Sequence, residues 1–338
     1  DLFGGQLSGK VDYFFEKRDN MLVSPQATVP EEYGIGLAAV NNGRMQNQGI
    51  EFEIHGHKSI KKDLLLSAGF NFTFARNKLL EIYENEATRN NPNRSRTGRP
   101  LGSIFGYEAD GLFQVSDDKN GDGVIDSKDG FVEQQLGGPV TPGSIKYKNL
   151  YDVDGNAVID LNDETCIGHP TIPEIMYGFN LGATWKGINL DLLFQGAAHS
   201  NALIGGTFIN PFGETHNLTI DNLDFWTPEN PDAKYPIVRP NGPVGNDVAS
   251  SSFYMLNMNY LRLKQLELGY TLPSAWLSRC HIKSAKVYVA ATNLFTLSHT
   301  RGLLDPEQDG GSTTGDNANR GWRQPQNKTI SLGMNITF

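Results

Sequence analysis

Thr329-Ile330-Ser331-Leu332-Gly333-Met334-Asn335-Ile336-Thr337-Phe338 decides the fold class. Ile330, Leu332, Met334, Ile336 and Phe338 fall on one parity, and Thr329, Ser331, Gly333, Asn335 and Thr337 on the other. Successive side chains of a strand point to opposite faces, so this stretch predicts a strand with one oily and one small, polar face. Leu64, Leu66, Ala68, Phe70, Phe72 and Phe74 repeat the pattern against Ser67, Gly69, Asn71 and Thr73. So do Tyr177, Phe179, Leu181, Ala183 and Trp185, then Ile188, Leu190, Leu192 and Phe194 after a turn at Lys186-Gly187. Leu7, Gly9, Val11, Tyr13 and Phe15 oppose Lys10 and Asp12, and Ile50, Phe52 and Ile54 oppose Glu51, Glu53, His55 and His57.

Two further strands are noisier. From Tyr260 to Leu272, the residues Leu266, Leu268, Tyr270 and Leu272 share a parity with Arg262 and Lys264. Either a bulge shifts the phase or the basic end lies beyond the oily band. Ala285 to Phe295 groups Val287, Val289 and Ala291 against Lys286, Tyr288 and Thr292.

Composition narrows the class. The 338 residues are 38% hydrophobic and 20% charged, with a formal net charge of −9. An acidic balance without a basic block argues against nucleic acid. Glycine accounts for 37 residues, above the usual level of about 7%. No stretch approaches the roughly 20 apolar residues of a membrane-spanning helix, which leaves membrane-spanning strands open. Cys166 and Cys280 lie far apart and fit neither a disulfide framework nor a zinc site. Asp1-Leu2-Phe3-Gly4-Gly5 has neither a basic start nor an apolar core, so we expect a mature chain or an internal piece.

Alternation alone also suits a soluble β sandwich. Two features weigh against that. Large aromatics sit near strand ends on the oily faces, as in the girdles of outer-membrane barrels. The connections are also lopsided, with short links at 59–63, 186–187 and 273–281 between long ones at about 18–46, 77–174, 198–258 and 296–327. Short periplasmic turns with long extracellular loops are the outer-membrane pattern, and with Phe338 at the periplasmic side all eight strands alternate in direction without a parity error. The expected class is therefore all-β, an antiparallel transmembrane β-barrel occupying residues 1–338. Eight strands can close into a small barrel with a filled interior. The small, polar inner faces (Gly69, Asn71, Ser331, Gly333, Asn335) suit a wide, wet lumen better.

Several stretches in order resemble SusC/RagA-type TonB-dependent outer-membrane transporters. They are NYLRLKQLELGYTLP from Asn259 to Pro273, Ala291-Thr292-Asn293-Leu294-Phe295-Thr296 followed by Gly302 and Asp305-Pro306-Glu307, and Phe225-Trp226-Thr227-Pro228-Glu229-Asn230-Pro231 with Tyr235-Pro236. Gly98-Arg99-Pro100-Leu101-Gly102 through Gly111-Leu112-Phe113, and Pro142-Gly143-Ser144-Ile145-Lys146-Tyr147, match two more. The resemblance implies the C-terminal strands of a 22-stranded barrel whose plug and TonB-contacting segment are not among these residues. It also implies uptake of an oligomeric nutrient, glycan or peptide, under a SusD-like surface lipoprotein and driven through the TonB complex. Eight strands of such a wall leave two unpaired edges in lipid, which the bilayer does not tolerate. More wall must then come from further sequence or another chain; a complete eight-stranded anchor or adhesin is the alternative.

Asp118 to Asp129 (DKNGDGVIDSKD) fits a 12-residue calcium loop, with Asp118, Asn120 and Asp122 at positions 1, 3 and 5 and the Val124 carbonyl at 7. Position 12 is Asp129, shorter than the usual glutamate. A second copy places Asp152, Asp154, Asn156 and Asp163 in register but carries Ala157 where glycine is expected. The bland alternative for both is an Asp/Asn/Gly-rich turn on a solvated loop. A calcium ion in either would be structural, ordering the 77–174 connection.

Catalysis finds no foothold. Glu51, Glu53, His55 and His57 share a strand face and can be read as metal ligands or as a polar lumen wall. There is no HExxH spacing, no GxSxG elbow and no glycine-rich phosphate loop after a strand; Gly310 to Gly315 reads as a flexible tip. Phe212, Phe225, Trp226, Tyr235 and Trp322 can stack on sugars, dock a lid or pack within the loops.

Overall fold

A computed structural model describes residues 2–23, 38–152, 155, 157–210, 219–240, 242–278, 282–308 and 324–338. One sheet carries eight long strands, β1 (Leu7–Val23), β2 (Val40–Lys61), β3 (Leu64–Glu81), β4 (Ile175–Trp185), β5 (Ile188–Ala198), β6 (Tyr260–Thr271), β7 (Ser284–Thr292) and β8 (Thr329–Thr337), and a short ninth strand, Thr296–Ser298, beside β6. Each long strand pairs antiparallel with its neighbours in chain order, an up-and-down meander with β1 and β8 at the two edges. Among the described residues the edges do not pair with each other. No described helix is long and apolar enough to cross a membrane, which says nothing about strands.

Register aligns the oily parities into a continuous surface. Phe179 of β4 lies opposite Phe70 of β3 and Phe194 of β5, and the Phe179 and Phe194 rings stack with centroids 4.4 Å apart. Among the described residues nothing covers that surface: Leu332 is 78% exposed, and Ile330 and Tyr13 are each 69% exposed. A compact soluble monomer of this mass exposes roughly 14,000 Å²; this chain exposes 20057 Å². An uncovered wall shifts the exposed area in this direction. On the inner face glycines make room for polar neighbours. A Cβ at Gly69 would lie 2.2 Å from Asn180 Oδ1 and 2.6 Å from His55 Nδ1.

The first long connection is shorter than expected from sequence. β1 runs to Val23 and β2 starts at Val40, because the hairpin continues beyond the oily band as a polar ladder, with Glu16 opposite Asn47 and Arg18 opposite Met45. Backbone pairing holds that extension, so hydrophobic alternation does not reveal it. β7 likewise stops at Thr292, not Phe295. Asn293 adopts a left-handed φ of 52° and donates its N–H to the Lys264 carbonyl. The strand then resumes as Thr296–Ser298 against β6.

That break is matched by a bulge in β6. Leu193 pairs with Gln265 and Phe194 with Leu263, so Lys264 is the extra residue. Below it Leu266, Leu268 and Tyr270 stay on the oily face; above it the phase flips, and Tyr260 and Arg262 turn inward. The bulge, and not a basic strand end outside the oily band, resolves the mixed parity of this strand.

At the end of the wall that bears the long connections, the described parts of 82–174 and 199–259 fold against each other. Tyr107, Ile145, Tyr147 and Ile159 of the first pack with Ile204, Tyr254 and Leu256 of the second. Short strand pairs stitch this mass, including Ile104–Gly106 with Thr165–Gly168 and Asn201–Leu203 with Met255–Asn257. Three of its buried polar side chains form a connected network. The Gln134 amide donates to Asn246 Oδ1 (2.7 Å), Asn246 donates to the Ile145 carbonyl (3.0 Å), and Arg239 reaches Asp247 at 3.1 Å.

Candidate functional site

The polar extension of β1–β3 builds a groove. Its floor is the inner parity of three adjacent strands, with Glu16 and Arg18 from β1, Asn47 from β2 and Asn77 from β3. The Pro170–Glu174 segment ahead of β4 and Leu101-Gly102 form its rim, and the cavity measures about 520 Å³. Asn77 Oδ1 accepts the Leu101 N–H at 2.6 Å, which pins the rim to the floor. Charged and amide groups on an otherwise apolar surface suit a polar ligand or another polypeptide segment. Nothing in the sequence marks this groove, because floor and rim are about a hundred residues apart and the floor lacks alternation.

The first acidic loop is a set of side chain-to-backbone turns. Asp118 accepts the N–H groups of Gly121 (2.8 Å) and Gly123 (2.9 Å), Asn120 accepts that of Asp122, and Asp122 that of Val124. Asp129 is buried beneath them. Its Oδ1 accepts the Lys119 and Asn120 N–H groups and its Oδ2 that of Asp126. Burial alone would raise the Asp129 pKa, but these donors hold it below the usual aspartate range. Lys128 Nζ stands 3.3 Å from Asp126 and 3.9 Å from Asp122.

The second copy is built differently. Asp163 is buried and accepts N–H groups from Leu150, Tyr151 and Asp160. Asp152 is exposed, and Asp154 and Asn156 lie outside the described residues.

The remaining sequence candidates separate cleanly. Glu51, Glu53, His55 and His57 line the inner parity of β2, where His55 pairs with Glu53 at 2.6 Å. Trp226 and Tyr235 are each 4% exposed: Trp226 donates to Gln114 Oε1 (3.1 Å) and Tyr235 to Asp221 (2.6 Å), so both pack within the loops. Phe225 packs beside them, while Phe212 and Trp322 lie outside the described residues. Cys166 is a free thiol, and Cys280 too lies outside the described residues.

Comparison with known proteins fits this wall-and-loop architecture. The chain superposes on the RagAB peptide transporter with a TM-score of 0.69 and 25% identity, over 99% of its own length and 34% of that chain. The likeness to SusC/RagA-type TonB-dependent transporters runs the whole length of this chain. TonB-dependent receptor P3 of Formosa agariphila is 27% identical over 352 residues, covering 100% of this chain and 33% of that protein. TonB-dependent receptor SusC of Bacteroides thetaiotaomicron is 23% identical, covering 99% of this chain and 30% of that protein. The chain thus spans about a third of the length of the relatives it matches, as a C-terminal section of such a barrel would. The chain matches no family model.

Proposed function

We propose that this chain is part of the wall and loops of an outer-membrane, TonB-dependent importer of an oligomeric nutrient, glycan or peptide, working with a SusD-like surface lipoprotein. The observation that carries the reading is the superposition on the RagAB transporter over 99% of the chain, long loops included. The uncovered oily face supports a bilayer as its surroundings. The open edges at β1 and β8 support a larger barrel over a closed eight-stranded anchor, since unpaired backbone is not tolerated in lipid. Energy from the TonB complex would enter through parts of the transporter that this chain does not span. The chain's own share is non-enzymatic, to form lumen wall, present the inner groove and offer the folded loop mass to the lipoprotein. Affinity purification of the full-length protein from the outer membrane tests this. A lipoprotein recovered at about one copy per barrel supports it, and a barrel recovered without one counts against it.

We further propose that residues 118–129 bind calcium through Asp118, Asn120, Asp122, Val124 and Asp129, with residues 152–163 (Asp152, Asp154, Asn156, Asp163) the weaker candidate. The ion would displace Lys128 from Asp122 and draw on an Asp129 that is already ionised and anchored. Calorimetric titration of the calcium-stripped protein is the test. No heat, together with unchanged protease resistance, removes the proposal.

A further inference from the structure

The end of the β4–β5 hairpin, beside the rim of the inner groove, holds a cluster of metal-ligating side chains. Ile175 pairs with Ala198, so the residues just beyond, Glu174 and His199, face each other, and the Glu174 N–H donates to the His199 carbonyl (3.4 Å). Pro170 to Pro173 brings His169 back over the same spot. Its ring stacks on that of His199, with centroids 4.9 Å apart and planes 7° from parallel.

Both imidazoles turn Nδ1 toward one oxygen. Glu174 Oε2 lies 3.4 Å from His199 Nδ1 and 3.9 Å from His169 Nδ1, and the three donor atoms are all within 4.8 Å of one another. The His199 Nδ1 is shielded from solvent without hydrogen-bond geometry to any partner. The carboxylate is 5% exposed and gripped by Arg76, whose Nε meets Oε1 at 2.8 Å and Nη2 meets Oε2 at 2.5 Å. The imidazoles, 47% and 43% exposed, leave the cluster open to solvent.

Two imidazoles and a carboxylate form a donor set for zinc-like ions. Metal bonds of about 2.0–2.2 Å put tetrahedral ligand atoms roughly 3.3 Å apart. His199 and Glu174 are already near that spacing; His169 must approach the Glu174 oxygen by about half an ångström, and the two imidazole nitrogens, within 4.8 Å of each other, must close toward the same spacing. Parallel rings offer parallel lone pairs, so one ring must also tilt about χ2, a torsion with a broad minimum.

We propose that His169, Glu174 and His199 bind one divalent transition-metal ion of the Zn²⁺ class, with Arg76 as a positioning residue that fixes the carboxylate. The Arg76–Glu174 pair is neutral before the ion arrives, so the site binds with moderate affinity. A bound ion ties the ends of β4 and β5 to the Pro170–Pro173 segment, which rims the inner groove. A coordination position left free by these three residues faces solvent.

The test titrates Zn²⁺ alone into the full-length protein in detergent after chelator treatment, and repeats it with Co²⁺ to read ligand-field absorption. One ion per chain is expected. Affinity should fall about 30-fold in His169→Ala and in His199→Ala, with the Co²⁺ band lost. Glu174→Gln, which keeps the side chain's shape, should weaken binding as well. His55→Ala/His57→Ala, removing the histidines of β2, should change nothing. Zn²⁺ should also raise the unfolding midpoint of the wild type but not of His199→Ala, which separates lost ligation from lost folding. No binding, equal binding in a His169→Ala/His199→Ala double variant, or loss confined to the His55/His57 variant overturns the proposal.

Discussion

Arg262 and Asp305 meet at 2.8 Å with each side chain 4% exposed, tying the loop after β7 to the inner face of β6. The β6 bulge makes this possible by turning Arg262 inward just above Lys264. Glu307 joins from the same loop, with Oε2 at 3.1 Å from Arg262 Nη1 and 2.7 Å from Lys264 Nζ. Breaking a buried pair on one side strands the other charge. Asp305→Asn should therefore loosen residues 300–308 by about 3 kcal/mol, the lower end because Glu307 still faces the guanidinium. Hydrogen exchange of those amides measures it.

The same carboxylate gives a pH dependence. Burial pushes the Asp305 pKa up, but the Gln326 and Glu307 N–H groups and the Arg262 guanidinium outweigh it and hold it below the usual range. A depressed folded pKa means the stabilisation is complete above the unfolded value, about 3.9, and is lost as pH falls through the lower folded value. Amide protection at 300–308 should be flat from neutral pH to about 5 and fall below about 4. Asp305→Asn should flatten that acid limb.

The two faces of β4 should respond oppositely to charge. Leu181 sits mid-strand on the oily parity opposite Ala68 and Leu192, and Asn180 beside it points inward. If the oily face meets lipid, Leu181→Arg should cost about 2–4 kcal/mol of folding free energy in bilayers, and Asn180→Arg far less. Equal costs for the two would count against a lipid-facing wall.

Gly143 locks the loop mass. Its φ is 87°, and a Cβ there would lie 2.4 Å from Trp226 Cε3 and 2.7 Å from Ile237 Cβ. Gly143→Ala combines a left-handed backbone with overpacking against a buried indole, so a loss of about 2–3 kcal/mol is expected. Protease resistance of the loop mass followed through thermal unfolding of the full-length protein reports it; an unchanged midpoint would show that the contact yields freely.

What the sequence disclosed follows from what each strand must bury. Ile330 to Phe338 and Leu64 to Phe74 alternate because one face needs oil and the other water, so their order, direction and faces were legible. The polar ladder of Glu16 to Val23 against Val40 to Gln48 buries little, and its pairing left no period. The loop core around Tyr147, Tyr254 and Leu256 joins residues a hundred positions apart in irregular backbone, where neither helical nor strand periodicity operates. The mixed parity at Arg262 suggested a bulge without showing which residue bulges. The His169–Glu174–His199 cluster depends on the hairpin register of Ile175 with Ala198, which no spacing along the chain announces.

The most direct test is uptake by cells carrying the full-length protein of labelled oligopeptide and oligosaccharide pools, with and without a functional TonB complex. Import of one pool that collapses when TonB is removed or the proton-motive force is dissipated is the expected result. Import of neither pool, or import that persists unchanged without TonB, would contradict the energised-importer reading.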